Sequence, residues 1–185
     1  MLLLLLLVLA IDFAISIWNA YSSGHAIGLI RKSGTSFSSL TRLSAYSGLG
    51  LGFVGMAYVL VVVLSFVAYY AGYVTYSVVA FAISLDFLVF GILIIGFGLV
   101  VTVQSIVIAA KKKSLGSILI AIWNTFAEVW DIASYASGFQ ESTQLLRRNR
   151  QGSGSALAIV AIALLIAFFI VHAAYKHGYS KATGG

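Results

Sequence analysis

Five long apolar stretches, at residues 2–30, 44–70, 78–110, 115–139 and 156–174, account for most of this 185-residue chain. A bilayer's hydrocarbon core is crossed by roughly 20 apolar residues of helix. In that medium every backbone N–H and C=O must be satisfied within the protein. Stretches of this length therefore dictate helices. The composition agrees: 61% of residues are hydrophobic and 9% charged, with a mean hydropathy of +1.05, whereas soluble domains carry charge on about a quarter of their residues. The expected fold is an all-α, polytopic transmembrane helix bundle. It fills residues 1–185 as a single membrane domain, with no room for a second, soluble one.

The chain has no cysteine and no proline. The first absence removes disulfides, thiolate metal sites and cysteine nucleophiles. The second leaves glycine as the place for a helix to bend, and Gly91, Gly96 and Gly98 leave room for a bend in the third stretch. Gly48 and Gly52 form a small-xxx-small pair that lets another backbone approach closely. With Gly55 and Gly91 they are the candidate helix-packing positions. The N-terminal apolar run lacks a basic leader segment and a small-residue cleavage site, so it is read as the start of the first span.

Net charge is +6. The basic residues flank apolar stretches, so they speak of topology and anionic lipid rather than nucleic acid. The linker with Arg31, Lys32 and Arg42 is basic and made flexible by Ser and Gly. Lys111, Lys112 and Lys113 are basic too, while the turn at residues 72–77 has no charge. The two basic segments are expected in the cytoplasm and the N-terminus outside the cell membrane. The polar tail, residues 176–185, is expected to be loose.

The fourth stretch has two readings. Its first half is apolar; its second holds Glu128 and Asp131. On a helix, Asn124, Glu128, Asp131 and Tyr135 share one narrow face. An in-plane interfacial helix carries a broad, Lys- and Arg-rich polar face, so a narrow acidic stripe suits a helix turned toward a bundle interior. The first stretch shares the design with Asp12, Ser16, Asn19 and Ser23. Five helices is the preferred reading. The alternative is four, with residues 115–139 lying in the cytoplasmic interface. It obeys the positive-inside rule better, because a fifth crossing puts Arg147, Arg148 and Arg150 outside.

The first and last thirds read as two copies of a helix pair. Ile15, Ile17, Trp18 and Asn19 recur as Ile120, Ile122, Trp123 and Asn124. Ser33-Gly34 recurs as Ser137-Gly138, and Arg42 falls on Arg147. Gly48 and Gly50 fall on Gly152 and Gly154; Ala68, Tyr70, Gly72 and Tyr73 fall on Ala173, Tyr175, Gly178 and Tyr179. The order and the near-constant offset favour duplication over coincidence. The repeat units are residues 2–73 and 115–179, joined by a connecting helix at 78–110. With five crossings the second copy is inverted, an arrangement many transporters use.

Four of the five acidic residues fall inside apolar stretches: Asp12, Asp86, Glu128 and Asp131. An ionised carboxylate near the bilayer centre costs at least ~2.5 kcal/mol by insertion scales. No Lys or Arg lies deep enough to pair with one, which leaves a neutral carboxyl, a bound cation or water. The functional expectation is a small transporter or channel-like protein coupled to a cation or proton. Its pathway residues would be Asp12, Asn19, Asp86, Asn124, Glu128 and Asp131. The bland reading is that each acid is neutral and hydrogen-bonded to a Ser, Thr or Tyr hydroxyl; for Asp86 this is preferred.

No Gly-x-Ser-x-Gly, His-Glu-x-x-His or phosphate-loop pattern occurs, so no enzymatic chemistry is expected. His25, His172 and His177 sit at span ends without the facing pairs a haem needs, and no cofactor or metal site is expected. Tyr46, Tyr69, Tyr70, Tyr73 and Tyr76 cluster near span ends, as an interfacial belt should. Recognition of a quaternary ammonium by an aromatic cage has no support in the sequence beyond the abundance of rings. The expected partners are the lipid bilayer and either further copies of the chain, as a homo-oligomer, or a larger membrane complex. The competing class is a non-catalytic structural or accessory subunit, of such a complex or of a hydrophobic helical filament.

Overall fold

The computed structural model of the protein describes residues 2–33 and 37–184, with side chains described from Leu6. Met1, Gly185 and positions 34–36 of the linker, including the Gly34 of the repeat matches, lie outside the described residues. Among those described there are five long helices and no strand: α1 (Leu2–Ser33), α2 (Ser39–Tyr70), α3 (Tyr76–Lys112), α4 (Leu115–Arg148) and α5 (Ser153–Thr183). A 3-10 turn (Arg150–Gly152) precedes α5. All five helices are long and apolar enough to cross a membrane. The chain is an all-α bundle and a multi-pass membrane protein.

The helix ends follow local chemistry. Ser38 Oγ accepts from Thr41 N–H at 3.2 Å and starts α2; Ser114 Oγ accepts from Ser117 N–H at 3.3 Å and starts α4. Both satisfy N–H groups left without helical partners. Arg31 and Lys32 close α1, Lys111 and Lys112 close α3, and Arg147 and Arg148 close α4, each opposite the negative end of a helix dipole. The turn from α2 to α3 needs Gly72, whose φ is +78°, a value that suits glycine.

Contacts fix the direction of every helix. Along α1 and α2, Ser23 meets Gly48 and Ser16 meets Gly52 and Gly55, so the two run antiparallel. Gly50 meets the Phe97 ring and Gln104 Nε2 donates to Thr41 Oγ1 at 3.0 Å, so α3 opposes α2. On α3 and α4, Thr102 pairs with Asn124, Gly98 with Glu128, Gly91 with Tyr135, and Phe87 with Gly138. Each step back along α3 is matched by a step forward along α4, so the two run antiparallel. Gly24 meets Tyr175, Gly28 meets Tyr179, and Lys32 Nζ donates to the Thr183 carbonyl at 3.3 Å. Both numbers rise together, so α1 and α5 are parallel.

This parallel pair fits five crossings. Four reversals separate α1 from α5 only if α4 crosses as well. A fourth helix lying in the interface would leave α5 antiparallel to α1. The helix directions thus favour five crossings over the in-plane alternative.

The core is built from small residues. Lipid tails remove the hydrophobic drive between helices, so close backbone approach takes its place. α2 is central, presenting Val54, Met56, Ala57 and Val61 to Ala20 of α1, Ala82 and Phe90 of α3, and Ala163, Ala167 and Val171 of α5. The tightest crossing joins α1 and α5. A Cβ at Gly24 would overlap the Tyr175 carbonyl oxygen, and one at Gly178 would overlap the Tyr21 carbonyl oxygen.

Several boundaries differ from the sequence reading. α4 continues nine residues beyond 139, because the polar segment that follows has neither Gly nor Pro to stop it. The tail is helical to Thr183, and Gly178 and Ala182 are buried against α1. α3 is unbroken. Gly91 and Gly98 make room for the Tyr135 ring and the Glu128 carboxylate rather than breaking the helix. The proposed copies are also packed differently. α4 runs opposite to α1, but α3 is its one lengthwise partner among the described residues, whereas α1 packs along α2.

Candidate functional site

α1 and α4 stand on opposite sides of the α2–α3 pair, and a cleft of about 960 Å³ lies between them. One wall carries Asp12, Ser16, Trp18 and Asn19 of α1. The other carries Trp123, Asn124, Glu128, Trp130, Asp131 and Tyr135 of α4. Gly55 and Tyr58 of α2 and Phe87, Gly91, Gly98 and Thr102 of α3 line the space between.

α4 is held in register by polar and ring contacts. Tyr135 stacks on Phe87, with centroids 5.4 Å apart, and its hydroxyl donates to the Leu88 carbonyl at 3.1 Å. Thr102 Oγ1 donates to the Asn124 carbonyl at 3.3 Å. The glycines of α3 let these side chains approach. Ala121 and Glu128 are the buried residues of α4 among those described, and Asn124, Asp131, Tyr135 and Gly138 on the same face are half-buried. The acidic stripe is thus the inward face, while Phe126, Val129 and Ile132 point outward.

Five of the six residues singled out in the sequence meet in the cleft: Asp12, Asn19, Asn124, Glu128 and Asp131. Asp12 and Asp131, on facing walls, lie close enough to act on one another electrostatically. Glu128 is 5% exposed; its Oε1 has no hydrogen-bond partner among the described residues. Among the described residues no Lys or Arg lines the cleft. Ser16 Oγ is engaged with its own helix, donating to the Asp12 carbonyl at 2.8 Å.

Asp86 is the exception. It lies outside the cleft, 1% exposed, on the α3 face that carries Ala82 and Phe90 into the apolar core. Neither carboxyl oxygen has a hydrogen-bond partner among the described residues, so the Ser, Thr or Tyr bond expected from sequence is not made. Tyr58, which borders the cleft, is within electrostatic reach of both Asp12 and Asp86. A buried acceptor left unsatisfied is unfavourable by about 1–3 kcal/mol. The near-isosteric Asp86→Val is therefore expected to raise the thermal midpoint in detergent by several degrees. A lowered midpoint would show that Asp86 makes a stabilising contact.

The four packing glycines are all at helix contacts: Gly48 against Ser23, Gly52 against Ser16 and Ala20, Gly55 against Ser16, and Gly91 against Tyr135. Sequence reasoning missed the α1–α5 crossing. Its signal was present, since Gly24/Gly28 and Gly178/Ala182 are small residues four apart. Tyr58 and Gly98 were missed as well, and nothing in the sequence set them apart from other Tyr and Gly residues. The His177 ring lies 5.8 Å from Tyr21, and His172 stacks on Phe168 at 5.8 Å. Among the described residues no three His, Asp or Glu side chains are grouped as metal ligands.

No family model matches the chain, and no curated protein or solved structure matches it.

Proposed function

We propose that this protein is a non-enzymatic membrane transporter or channel-like permeation protein that moves a cation, or a solute coupled to a cation or proton, through the cleft between α1 and α4. The observation that carries the reading is three carboxylates, Asp12, Glu128 and Asp131, on helices long and apolar enough to cross a membrane, in a roomy cleft with no basic side chain among its described lining residues. Intramembrane acids are unfavourable enough that their usual place is a pathway or relay. Asn19 and Asn124 add donors and acceptors on both walls.

Orientation belongs to the same reading. With five crossings, Arg31, Lys32, Arg42, Lys111, Lys112, Lys113, Lys176 and Lys181 share one side, and Arg147, Arg148 and Arg150 the other. The larger basic group favours the cytoplasm, with the N-terminus outside. With the two tail lysines added, eight basic residues on that side stand against the three arginines that opposed this arrangement in the sequence.

Flux in proteoliposomes tests the reading. Under an imposed inside-negative potential, the protein is expected to raise proton, Na⁺ or K⁺ entry well above that of protein-free vesicles. Asp86→Val, off the cleft, should retain that flux. Flux equal to that of empty vesicles for all three ions and for a lipophilic organic cation would overturn the proposal.

A second reading, an accessory subunit of a larger assembly, is favoured by the outer face of α4, where Ile122, Phe126 and Val129 are exposed. A partner co-purifying in stoichiometric amount from native membranes would support it. A chain that purifies alone or as a homo-oligomer would not.

A further inference from the structure

The lining of the cleft narrows the kind of cation it suits. Besides the three carboxylates, six rings border it: Trp18, Tyr58, Phe87, Trp123, Trp130 and Tyr135. They come from all four helices around the space. Aromatic faces attract cations, most strongly when the cation is poorly hydrated. A small inorganic ion needs several oxygen ligands converging at short range to replace its water. Among the described residues the acids do not converge in that way. An organic cation with its charge spread over a hydrophobic body needs no ligand shell. It needs rings, a counter-charge and space, and about 960 Å³ is within the range of sites for drug-sized molecules.

Glu128 supplies the counter-charge. Its carboxylate is buried, borders the cleft and has Oε1 unpartnered among the described residues. Asp12 and Asp131 reinforce it across the space. Anions find no Lys or Arg there. Trp18 on one side and Trp123 and Trp130 on the other are each about two-thirds exposed, which places indole rings between the cleft and the surrounding lipid.

We infer that the cleft between α1 and α4 is a binding site for hydrophobic organic cations, such as quaternary ammonium or phosphonium compounds that partition into the bilayer. The inference rests on the transport reading for its purpose, but binding tests it separately.

The probe is tetraphenylphosphonium, with tetraphenylborate as an anion of nearly the same size and shape. Equilibrium dialysis against the purified full-length protein in detergent is expected to show saturable binding of the phosphonium and none of the borate. Trp123→Ala with Trp130→Ala, at exposed positions, should weaken binding about tenfold. Glu128→Gln should weaken it at least as much. Binding of both probes alike, binding indifferent to these substitutions, or no saturable binding would overturn the inference. Ion flux in vesicles without phosphonium binding would remove this inference and leave the transport reading. Phosphonium binding without transport of the bound cation or of ions would do the reverse.

Discussion

Gly178→Leu is expected to destroy the bundle as a folded unit. The closest backbone approach in the protein lies at this crossing, where a Cβ on Gly178 would overlap the carbonyl oxygen of Tyr21 and press on the backbone nitrogen of His25. Backbone of a hydrogen-bonded helix cannot yield as a flexible side chain does. Inserting side chains into a packed site costs typically 1–3 kcal/mol, and more when the obstacle is rigid. Here the damage extends to the whole α1–α5 seam, because Gly24 and Gly28 pack on the same stretch of α5. In a bilayer nothing replaces the lost packing. The purified variant should aggregate or melt far below the wild type. Gly96→Leu is the control, since no atom lies within 4 Å of a Cβ there. Equal stability of the two variants would contradict the crossing.

Glu128→Gln combined with Asp131→Asn is expected to lower cation flux in proteoliposomes at least tenfold while leaving the fold intact. Both substitutions keep side-chain shape and remove negative charge from the cleft. Stability should hold or rise, because an unpaired carboxylate at this depth is unfavourable by about 2.5 kcal/mol or more. Function should move in the opposite direction, since a cation crossing a low-dielectric space loses its counter-charge. Glu128→Asp, which retains charge, should recover part of the flux. Unchanged flux in the double variant would show that the carboxylates are merely tolerated.

Much of this was legible in the sequence, for a physical reason. Membrane helices must satisfy their backbones internally, so length and hydropathy announce them. The stripe of Asn124, Glu128, Asp131 and Tyr135 likewise announced which way α4 would face, because three of these four groups are poorly tolerated against lipid. What stayed hidden depends on which helices touch. Asp86 has the same chemistry as Asp12, yet α3 turns it into the core among Ala82 and Phe90. A single helix cannot reveal which of its neighbours will cover a given face. The helical tail was misread because its Lys, His and Ser residues suggested solvent, while Gly178 and Ala182 fit it to α1. Trp18-Asn19 and Trp123-Asn124 stand on the two walls of one cleft, although the helices around them are packed differently.

The central claim is that α4 crosses the membrane and turns its acids toward α1. The native chain has no cysteine, so single cysteines give unambiguous readings. Ser114→Cys and Gln144→Cys stand near opposite ends of α4. Labelled on intact cells with a membrane-impermeant maleimide, Gln144→Cys should react and Ser114→Cys should react only after permeabilisation. Reaction of both positions from the same side would mean that α4 does not cross, and the acidic cleft would have no place in the membrane.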